Sequence, residues 1–302
     1  MIQNQDQGFG IQGSVKSGEL ALPESRIPFP ESCLRVVISG ASSGIGFALA
    51  RHYLARGAVV GVFARRAELL AALAAEFPEQ VIAYALDVRD AFAAQQAAAD
   101  FMARAGCPDV VIANAGVSVG TLTEYTEDLD AFQQVMDINV MGMVKTFQPF
   151  VAPMREAASC TLSPQSSPIG GEREKHFTLV GVASVAGFRG LPGAGAYSAS
   201  KAAAISYLES LRVELRGTGV HVVTICPGYI RTPMTAHNPY VMPFMLDVEV
   251  AAARMARAIA RQTSFTVIPW RMGWVGLVLK CLPRWLYDLL FANAPRKPRK
   301  QD

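Results

Sequence analysis

A tyrosine and a lysine that could do proton chemistry lie one helical turn apart. Tyr197 and Lys201 enclose the segment YSASK, and Ser184 precedes the tyrosine by thirteen residues. If residues 194–216 are helical, positions 197 and 201 lie on the same helix face. An ammonium close to a phenol favours the phenolate and lowers its pKa, which is about 10 in the unperturbed side chain. We therefore expect Tyr197 to exchange a proton near neutral pH.

A glycine-rich segment near the beginning of the chain has the spacing of a dinucleotide site. The sequence GASSGIG spans 40–46, directly after an apolar run and at the start of a predicted helix. Glycines permit a tight turn and let a pyrophosphate approach the backbone at a helix N-terminus. Taken alone, this pattern also fits a helix start that is merely packed closely. Further segments at the ends of the third and fourth predicted strands favour the cofactor site. The candidate cofactor residues in the three segments are Gly40, Ser42, Ser43, Gly44, Ile45, Gly46, Asp87, Val88, Asn114, Ala115 and Gly116.

The end of the second predicted strand indicates which dinucleotide would bind. NAD sites place an acid there, which bonds the ribose 2′-hydroxyl. Here that position is Ala64, and Arg65 and Arg66 follow. The two arginines could be solvated charges, but the dipole of the helix that begins there disfavours cations. Because a guanidinium can bind a 2′-phosphate, we expect NADP(H) rather than NAD(H), with Arg65 and Ser42 as the phosphate ligands.

With these motifs the chain resembles the short-chain dehydrogenase/reductase family over about residues 34–270. The resemblance rests on SGASSGIG at 39–46, NAG at 114–116, SVAG at 184–187, the Tyr197/Lys201 pair and PG at 227–228. It implies a catalytic tetrad, and it extends the cofactor site beyond the segments above. The tetrad is Asn139, Ser184, Tyr197 and Lys201, and the added cofactor residues are Tyr197, Lys201, Pro227, Gly228, Ile230 and Thr232.

The resemblance also assigns roles that agree with simple chemistry. In carbonyl reduction the nicotinamide supplies the hydride chemistry, so the protein must handle one proton and one developing charge. Ser184 would donate a hydrogen bond to the carbonyl oxygen, Tyr197 would protonate it, and Lys201 would tune Tyr197 and bond the cofactor ribose. Asn139 falls inside a long predicted helix, where its side chain competes with the backbone. We expect a local kink there that holds a water between Lys201 and solvent.

The resemblance further implies that Asp87 contacts the adenine and that Thr232 bonds the nicotinamide carboxamide. In the same terms, the turn at 114–116 steadies the sheet beside the cofactor.

Alternating short β-branched runs and Ala/Leu-rich stretches predict a doubly wound parallel α/β sheet. Predicted strands are 34–39, 58–63, 81–86, 109–113, 178–183, 220–226 and 265–269, and predicted helices are 44–56, 66–76, 89–106, 127–157, 194–216 and 247–262. We expect a flexible arm at 1–33, one catalytic domain at 34–269 and a C-terminal extension at 270–302. The polar residues 158–176 are expected to form an inserted surface loop.

Composition excludes several classes of protein. Half of the chain, 51%, is apolar, which argues against disorder, and the net charge of +3 makes no case for nucleic-acid binding. The N-terminal residues lack the apolar core of a signal peptide. The five cysteines are scattered without CxxC pairs or clustered histidines, which predicts free thiols in a cytoplasmic protein and neither disulfides nor a metal site.

Two apolar segments follow the last motif. Residues 229–246 correspond to a mobile lid in the family; their Met-rich composition fits a bulky hydrophobic substrate, although they could simply pack on the sheet. Residues 270–291 are apolar but carry charges and Pro283, so we reject a spanning helix. Three tryptophans and the basic tail (Arg296, Lys297, Arg299, Lys300) favour a helix pair at the inner face of a membrane. A dimer contact or a substrate-channel wall is the competing interpretation.

These features predict an NADP(H)-dependent oxidoreductase that interconverts a carbonyl and a secondary alcohol on a hydrophobic, lipid- or steroid-like molecule. We also expect a homo-oligomer. The alternative is a catalytically silent nucleotide-binding sensor or scaffold at the membrane surface.

Overall fold

The computed structural model describes residues 33–161, 176–236, 238, 241–294 and 296–299. Almost all of the expected arm at 1–33 and most of the expected loop at 158–176 lie outside the described residues. The first four residues of that loop are described, and they continue the preceding helix instead.

Seven parallel strands form one sheet in the order β3-β2-β1-β4-β5-β6-β7. The strands are β1 Arg35–Ser39, β2 Val59–Ala64, β3 Val81–Ala85, β4 Val110–Ala113, β5 Phe177–Val182, β6 Val220–Pro227 and β7 Phe265–Ile268. All six pairings are parallel, with Val36, for example, opposite both Val60 and Val110. The doubly wound sheet predicted from the sequence is therefore confirmed.

Helices cover both faces of the sheet. They are α1 Gly44–Leu54, α2 Ala67–Glu76, α3 Ala91–Ala105, α4 Asp128–Met136, α5 Gly142–Thr161, α6 Gly195–Glu214, α7 Val248–Ala260, α8 Trp270–Cys281 and α9 Arg284–Phe291. Alternate strand residues point to opposite faces, so Val36 and Ile38 pack with α1, α2 and α7, whereas Val37 and Val111 pack with α3, α5 and α6. Burial on both sides explains why β2 reads VVGVFA without polar alternation.

The long helix expected at 127–157 is divided. Between α4 and α5 the chain makes a π-helical turn at Asp137–Met141. Such turns insert a residue into the helical hydrogen-bond ladder and recur at functional sites. The expected break in the helix at Asn139 is therefore present.

The sheet order brings the motifs to one edge. β1 lies between β2 and β4, so the connections after β1 and β4 leave the sheet on opposite sides and open a crevice at their carboxyl ends. The chain leaves β5 just before Ser184 and leaves β6 at Pro227, at the same edge. The fold thus gathers residues from segments that are far apart in the chain around one cleft.

Candidate active site and cofactor cleft

The glycine turn after β1 leaves the backbone exposed to the cleft. Gly40 has a φ of 71°, and a Cβ atom there would lie 2.7 Å from Ala115 Cα. A Cβ on Gly46 would overlap the Gly40 carbonyl oxygen. Asn114 fastens the turn, because its Nδ2 donates to the carbonyl oxygens of Ser39 at 3.1 Å and Gly40 at 3.2 Å. Side chains larger than hydrogen at these two positions would collide with neighbouring backbone, so the glycines permit the tight packing of this turn.

The predicted cofactor residues line a single cleft, with one exception. The residues that line it are Gly40, Ser42, Ser43, Gly44, Ile45, Arg65, Asp87, Val88, Asn114, Ala115, Gly116, Tyr197, Lys201, Pro227, Gly228, Ile230 and Thr232. Gly46 is set back from the surface and acts through packing. These residues come from the segments after β1, β2, β3, β4 and β6 and from α6, so the array of backbone N–H groups and glycines fits an extended dinucleotide rather than a compact ligand.

Arg66 occupies the corner of the cleft where the second strand ends. Its Nη2 donates to Ser42 Oγ at 2.8 Å and to Ser43 Oγ at 2.7 Å. Arg65 lines the same cleft without such a contact to these serines. The sequence predicts Arg65 and Ser42 as phosphate ligands; in the structure Ser42 contacts Arg66, the extended residue that precedes the first turn of α2.

The carboxylate expected at the adenine is held by a neighbour. Arg89 donates two side-chain hydrogen bonds to Asp87, through Nε at 3.1 Å and Nη2 at 2.8 Å. The Arg89 hydrogen bonds hold the pKa of Asp87 below its usual range, so the group is ionised at neutral pH. Asp87 and Val88 line the cleft after β3, which lies on the other side of β1 from β5 and Ser184 in the sheet.

Three of the four candidate catalytic side chains meet at the other end of the cleft. Ser184, Tyr197 and Lys201 line it together, and the Lys201 Nζ lies 5.9 Å from the centre of the Tyr197 ring. The Lys201 Nζ donates to the carbonyl oxygen of Val182 at 2.8 Å. A hydrogen bond from the Ser184 side chain acts on the tyrosine hydroxyl. This geometry can present one proton donor and one hydrogen-bond donor to the same oxygen atom.

The expected pKa of the tyrosine is not what this structure gives. Burial raises the pKa of Tyr197, and the Ser184 hydrogen bond only partly opposes that effect. Burial likewise lowers the pKa of Lys201, to about 8. Desolvation disfavours the charged form of each group, and the lysine amine is engaged by a carbonyl rather than by the phenol. The spacing of Tyr197 and Lys201 indicates the effect of the ammonium's charge on the pKa of the phenol, but it does not reveal the cost of burying both groups.

Asn139 lies behind the cleft in the π-helical turn and is fully buried. Its Oδ1 accepts from Val117 N at 2.8 Å, and its Nδ2 donates to Val117 O at 3.0 Å and to Ser200 Oγ at 2.9 Å. A Cβ on Gly116 would lie 3.2 Å from Asn139 Oδ1 and 3.5 Å from Lys201 Nζ. Because residue 116 is a glycine, no side chain separates Asn139 from Lys201 there. The hydrogen bonds of Asn139 join the 116–118 loop to α6.

Residues that the sequence assigns to the lid, and not to the cofactor site, also border the cleft. Pro233, Met234 and Thr235 line it beside Thr232, and Thr235 Oγ1 donates to the Ile230 carbonyl oxygen at 2.6 Å. This stretch belongs to the expected lid, but its further residues Met242 and Phe244 do not border the cleft. Tyr240, also assigned to the lid, lies outside the described residues.

The C-terminal extension is a helix pair, α8 and α9, as expected, and it packs against the loop after Ser184. Arg189, in the loop after Ser184, donates to the carbonyl oxygens of Leu279 at 3.1 Å and Leu282 at 3.0 Å. Tyr287 donates to the Gly190 carbonyl oxygen. The three tryptophans face outward, with 64%, 63% and 69% of Trp270, Trp274 and Trp285 exposed. In the described part of the chain no helix is long and apolar enough to cross a membrane.

Residues 296–299 of the basic tail lie against the protein and not at the membrane-facing position that the sequence predicts. Arg299 donates to the buried Asp128 at 2.8 Å, and Lys297 donates to Ser118 Oγ at 2.7 Å. The tail thus folds back beside Tyr197, whose ring centre lies 6.0 Å from Lys297 Nζ. Two of the cations that the sequence assigns to a membrane surface therefore form hydrogen bonds within the protein, because a hydroxyl and a carboxylate lie close to them.

Comparison with known proteins agrees with this geometry. The family model for short chain dehydrogenase matches residues 35–240. An uncharacterized oxidoreductase of Myxococcus xanthus is 36% identical over 255 residues, which are 83% of this chain and 94% of the relative. 11-beta-hydroxysteroid dehydrogenase A of Sesamum indicum is 28% identical, over 88% of this chain and 78% of the relative.

Two solved structures share the fold. A short chain dehydrogenase from Burkholderia cenocepacia in complex with NADP has a TM-score of 0.70 at 23% identity, covering 87% of this chain and 98% of its own. A short chain dehydrogenase/reductase from Burkholderia phymatum in complex with NAD has a TM-score of 0.68 at 22% identity, covering 89% of this chain and 98% of its own.

Proposed function

This chain belongs to the short-chain dehydrogenase/reductase family, and on that premise we propose that it is an NADP(H)-dependent oxidoreductase acting on a hydrophobic carbonyl or secondary alcohol. Family membership makes it an oxidoreductase of CH–OH and C=O groups. One observation carries the catalytic proposal: Ser184, Tyr197 and Lys201 converge at the end of the same cleft whose other end is built from glycines and arginines. All four tetrad side chains are present, so we favour turnover over a silent sensor or scaffold.

Each tetrad residue would act on one atom or one neighbour. The bound nicotinamide cofactor would supply the hydride chemistry. In reduction, Ser184 donates a hydrogen bond to the substrate oxygen and Tyr197 transfers its proton to that oxygen as negative charge develops there. Lys201, whose Nζ lies 5.9 Å from the centre of the Tyr197 ring, would favour the phenolate electrostatically and would hold the cofactor ribose. Asn139 keeps the 116–118 loop and α6 in register, so that the lysine faces the cleft.

The raised pKa of Tyr197 fits the direction of reduction. A phenol that burial keeps protonated is ready to give its proton to an alkoxide-like oxygen. For oxidation the same residue must first lose that proton, which becomes easier as pH rises. We therefore expect reduction to dominate near neutral pH and oxidation to gain as the solution becomes alkaline.

The preference for NADP(H) rests on charge. No carboxylate stands at Ala64, and two guanidiniums, Arg65 and Arg66, border the cleft where a 2′-phosphate would lie. The hydroxyls of Ser42 and Ser43 orient Arg66 toward this corner. A guanidinium forms strong, directional hydrogen bonds to phosphate oxygens.

The hydrophobic substrate class is supported by what surrounds the reactive end. Ile230, Pro233 and Met234 border the cleft close to the proposed nicotinamide position, and Met272 of α8 packs against Gly228, where a Cβ atom would lie 2.6 Å from it. A flexible methionine can adapt to a bulky apolar ligand.

Replacement of Tyr197 tests the reaction directly. Tyr197→Phe removes the only atom proposed to transfer the proton and leaves the ring, so reduction of a ketone panel should fall by about 10²- to 10⁴-fold. NADPH affinity, followed by fluorescence titration, should change little. Loss of cofactor affinity with unchanged turnover of the bound fraction would contradict the assigned role.

We also propose a cytoplasmic homo-oligomer whose α8–α9 surface rests on the inner face of a membrane. The exposed Trp270, Trp274 and Trp285 support it, because amphipathic aromatic rings favour the membrane interface. Co-sedimentation with anionic lipid vesicles should fall in a variant that carries serine at all three positions, while ketone reduction is retained. A dimer that dissociates in the same variant, with no vesicle binding by the parent protein, would assign this surface to a subunit contact instead.

A further inference from the structure

The C-terminal segment 296–299 packs between two loops beside the candidate active site. Gly120 N donates to the Pro298 carbonyl oxygen at 3.1 Å, and a Cβ on Gly120 would overlap the Lys297 carbonyl oxygen. On the other side, a Cβ on Gly193 would lie 2.8 Å from Arg296 Cβ. Two glycines from different loops thus admit the segment between them. Both loops belong to the reactive end of the cleft, because one follows β4 and the other leads into α6.

Arg299 anchors the end of this segment. Its Nε donates to Asp128 Oδ2 at 2.8 Å, and its guanidinium lies 3.6 Å from the centre of the Tyr125 ring. Asp128 is buried and also accepts from Leu122 N at 2.7 Å. A buried carboxylate paired with an arginine holds its partner firmly, because the charges would otherwise remain unpaired. The anchor fixes the position of Lys297 two residues earlier.

Lys297 carries an ammonium group beside the Tyr197 ring. Its Nζ donates to Ser118 Oγ at 2.7 Å, and within the described residues no carboxylate lies within ion-pair distance of it. The side chain is half-buried, and burial lowers its pKa. Its Nζ lies 6.0 Å from the Tyr197 ring centre, about as far as the Lys201 Nζ at 5.9 Å. A partly desolvated ammonium without a counter-charge has a strong affinity for an anion.

We propose that Lys297 is a substrate-binding residue that selects molecules bearing an anionic group, such as a carboxylate, a few bonds from the reacting carbonyl or alcohol carbon. A carbonyl bonded to Tyr197 then directs the anion toward the Lys297 Nζ and Ser118, while the apolar remainder of the substrate contacts Met234 and its neighbours. This inference rests on the proposed function, and it narrows the hydrophobic substrate to an amphipathic acid. The segment 296–299 becomes part of the substrate site rather than of a membrane anchor.

A matched pair of ketones tests the selection. 4-Oxo-4-phenylbutanoate and its methyl ester differ in charge at the end of a short chain, and reduction is followed at saturating NADPH. We expect the wild-type protein to reduce the acid with a kcat/KM about 10- to 100-fold above that of the ester, mainly through KM. Lys297→Met should abolish the preference, so that the kcat/KM for the acid falls to about that of the ester. Lys297→Arg should restore a large part of it, whereas the exposed Lys280→Met serves as the matched control.

Titration calorimetry of both compounds into the NADPH-loaded protein separates this inference from the proposed reaction. Tighter binding of the acid that Lys297→Met removes supports the inference even if neither compound is reduced, and the missing turnover then counts against the proposed reaction. Equal binding of acid and ester, or an equal loss of both in Lys297→Met, overturns the inference even if both are reduced. Failure to bind either compound also overturns it.

Discussion

Replacement of Arg66 is the most discriminating test of the cofactor preference. Arg66→Met removes a guanidinium that Ser42 and Ser43 hold at the corner of the cleft, and it keeps most of the apolar stem. A hydrogen bond to a charged group contributes about 1.5–3 kcal/mol when desolvated. Because Arg66 is exposed, we take the lower end, about 1.5 kcal/mol. That value corresponds to an affinity for NADPH that is roughly 10-fold weaker.

The affinity for NADH should change little, because its 2′-hydroxyl carries no charge. The dissociation constants of both dinucleotides, measured by fluorescence titration at fixed ionic strength, give the ratio of NADPH affinity to NADH affinity for each variant. Arg65→Met should lower this ratio as well, and by less, because no serine orients that side chain. Arg104→Met, on the exposed face of α3, is the matched control. A ratio unchanged in both Arg66→Met and Arg65→Met would refute the phosphate assignment and leave NAD(H) as the cofactor.

Two further predictions concern stability. The folded pKa of Lys201, about 8, lies below its usual 10.5, so the native state binds fewer protons than the unfolded state between these values and gains stability as pH rises through the window. Urea unfolding at pH 7 and pH 9.5 should therefore show a smaller rise in Lys201→Met than in the parent or in the control Lys280→Met; parallel shifts in all three would contradict the buried, destabilised charge. Gly46→Ala should cost about 1–3 kcal/mol of unfolding free energy and weaken NADPH binding, because the new methyl group overlaps the Gly40 carbonyl oxygen. Gly195→Ala, which meets open space, should change neither the urea midpoint nor cofactor affinity, and equal effects of the two substitutions would remove the packing argument.

The sequence predicted the sheet well because its signals are local. A buried parallel strand needs a continuous β-branched run, and β1, β2 and β6 each carry one within a residue or two of the expected bounds. The glycine turn and the Tyr197/Lys201 spacing are likewise short-range patterns. The exact form of the break at Asn139 was harder, since a π-helical turn differs from an α-helix by one inserted residue and leaves little trace in composition.

Which residues meet across the cleft depended on contacts between distant segments. Arg65 and Arg66 are adjacent in the chain, and only the folded conformation of the segment before α2 decides which of them contacts Ser42. The pKa of Tyr197 followed from burial, which no spacing reveals. The tail at 296–299 has an unremarkable basic composition, and it reaches Ser118 and Asp128 only because α8 and α9 return the chain to the cleft.

The chain's local patterns were thus sufficient for its family, its sheet and the residues available for proton and hydride chemistry, because such patterns are set by backbone conformation and side-chain type within a few positions. Tertiary packing set the direction of the pKa shifts of Tyr197 and Lys201. It also set the contact of Arg66 with Ser42 and the position of Lys297 beside the Tyr197 ring. Desolvation and side-chain direction arise when segments more than a hundred residues apart come into contact, as Lys297 does with Ser118.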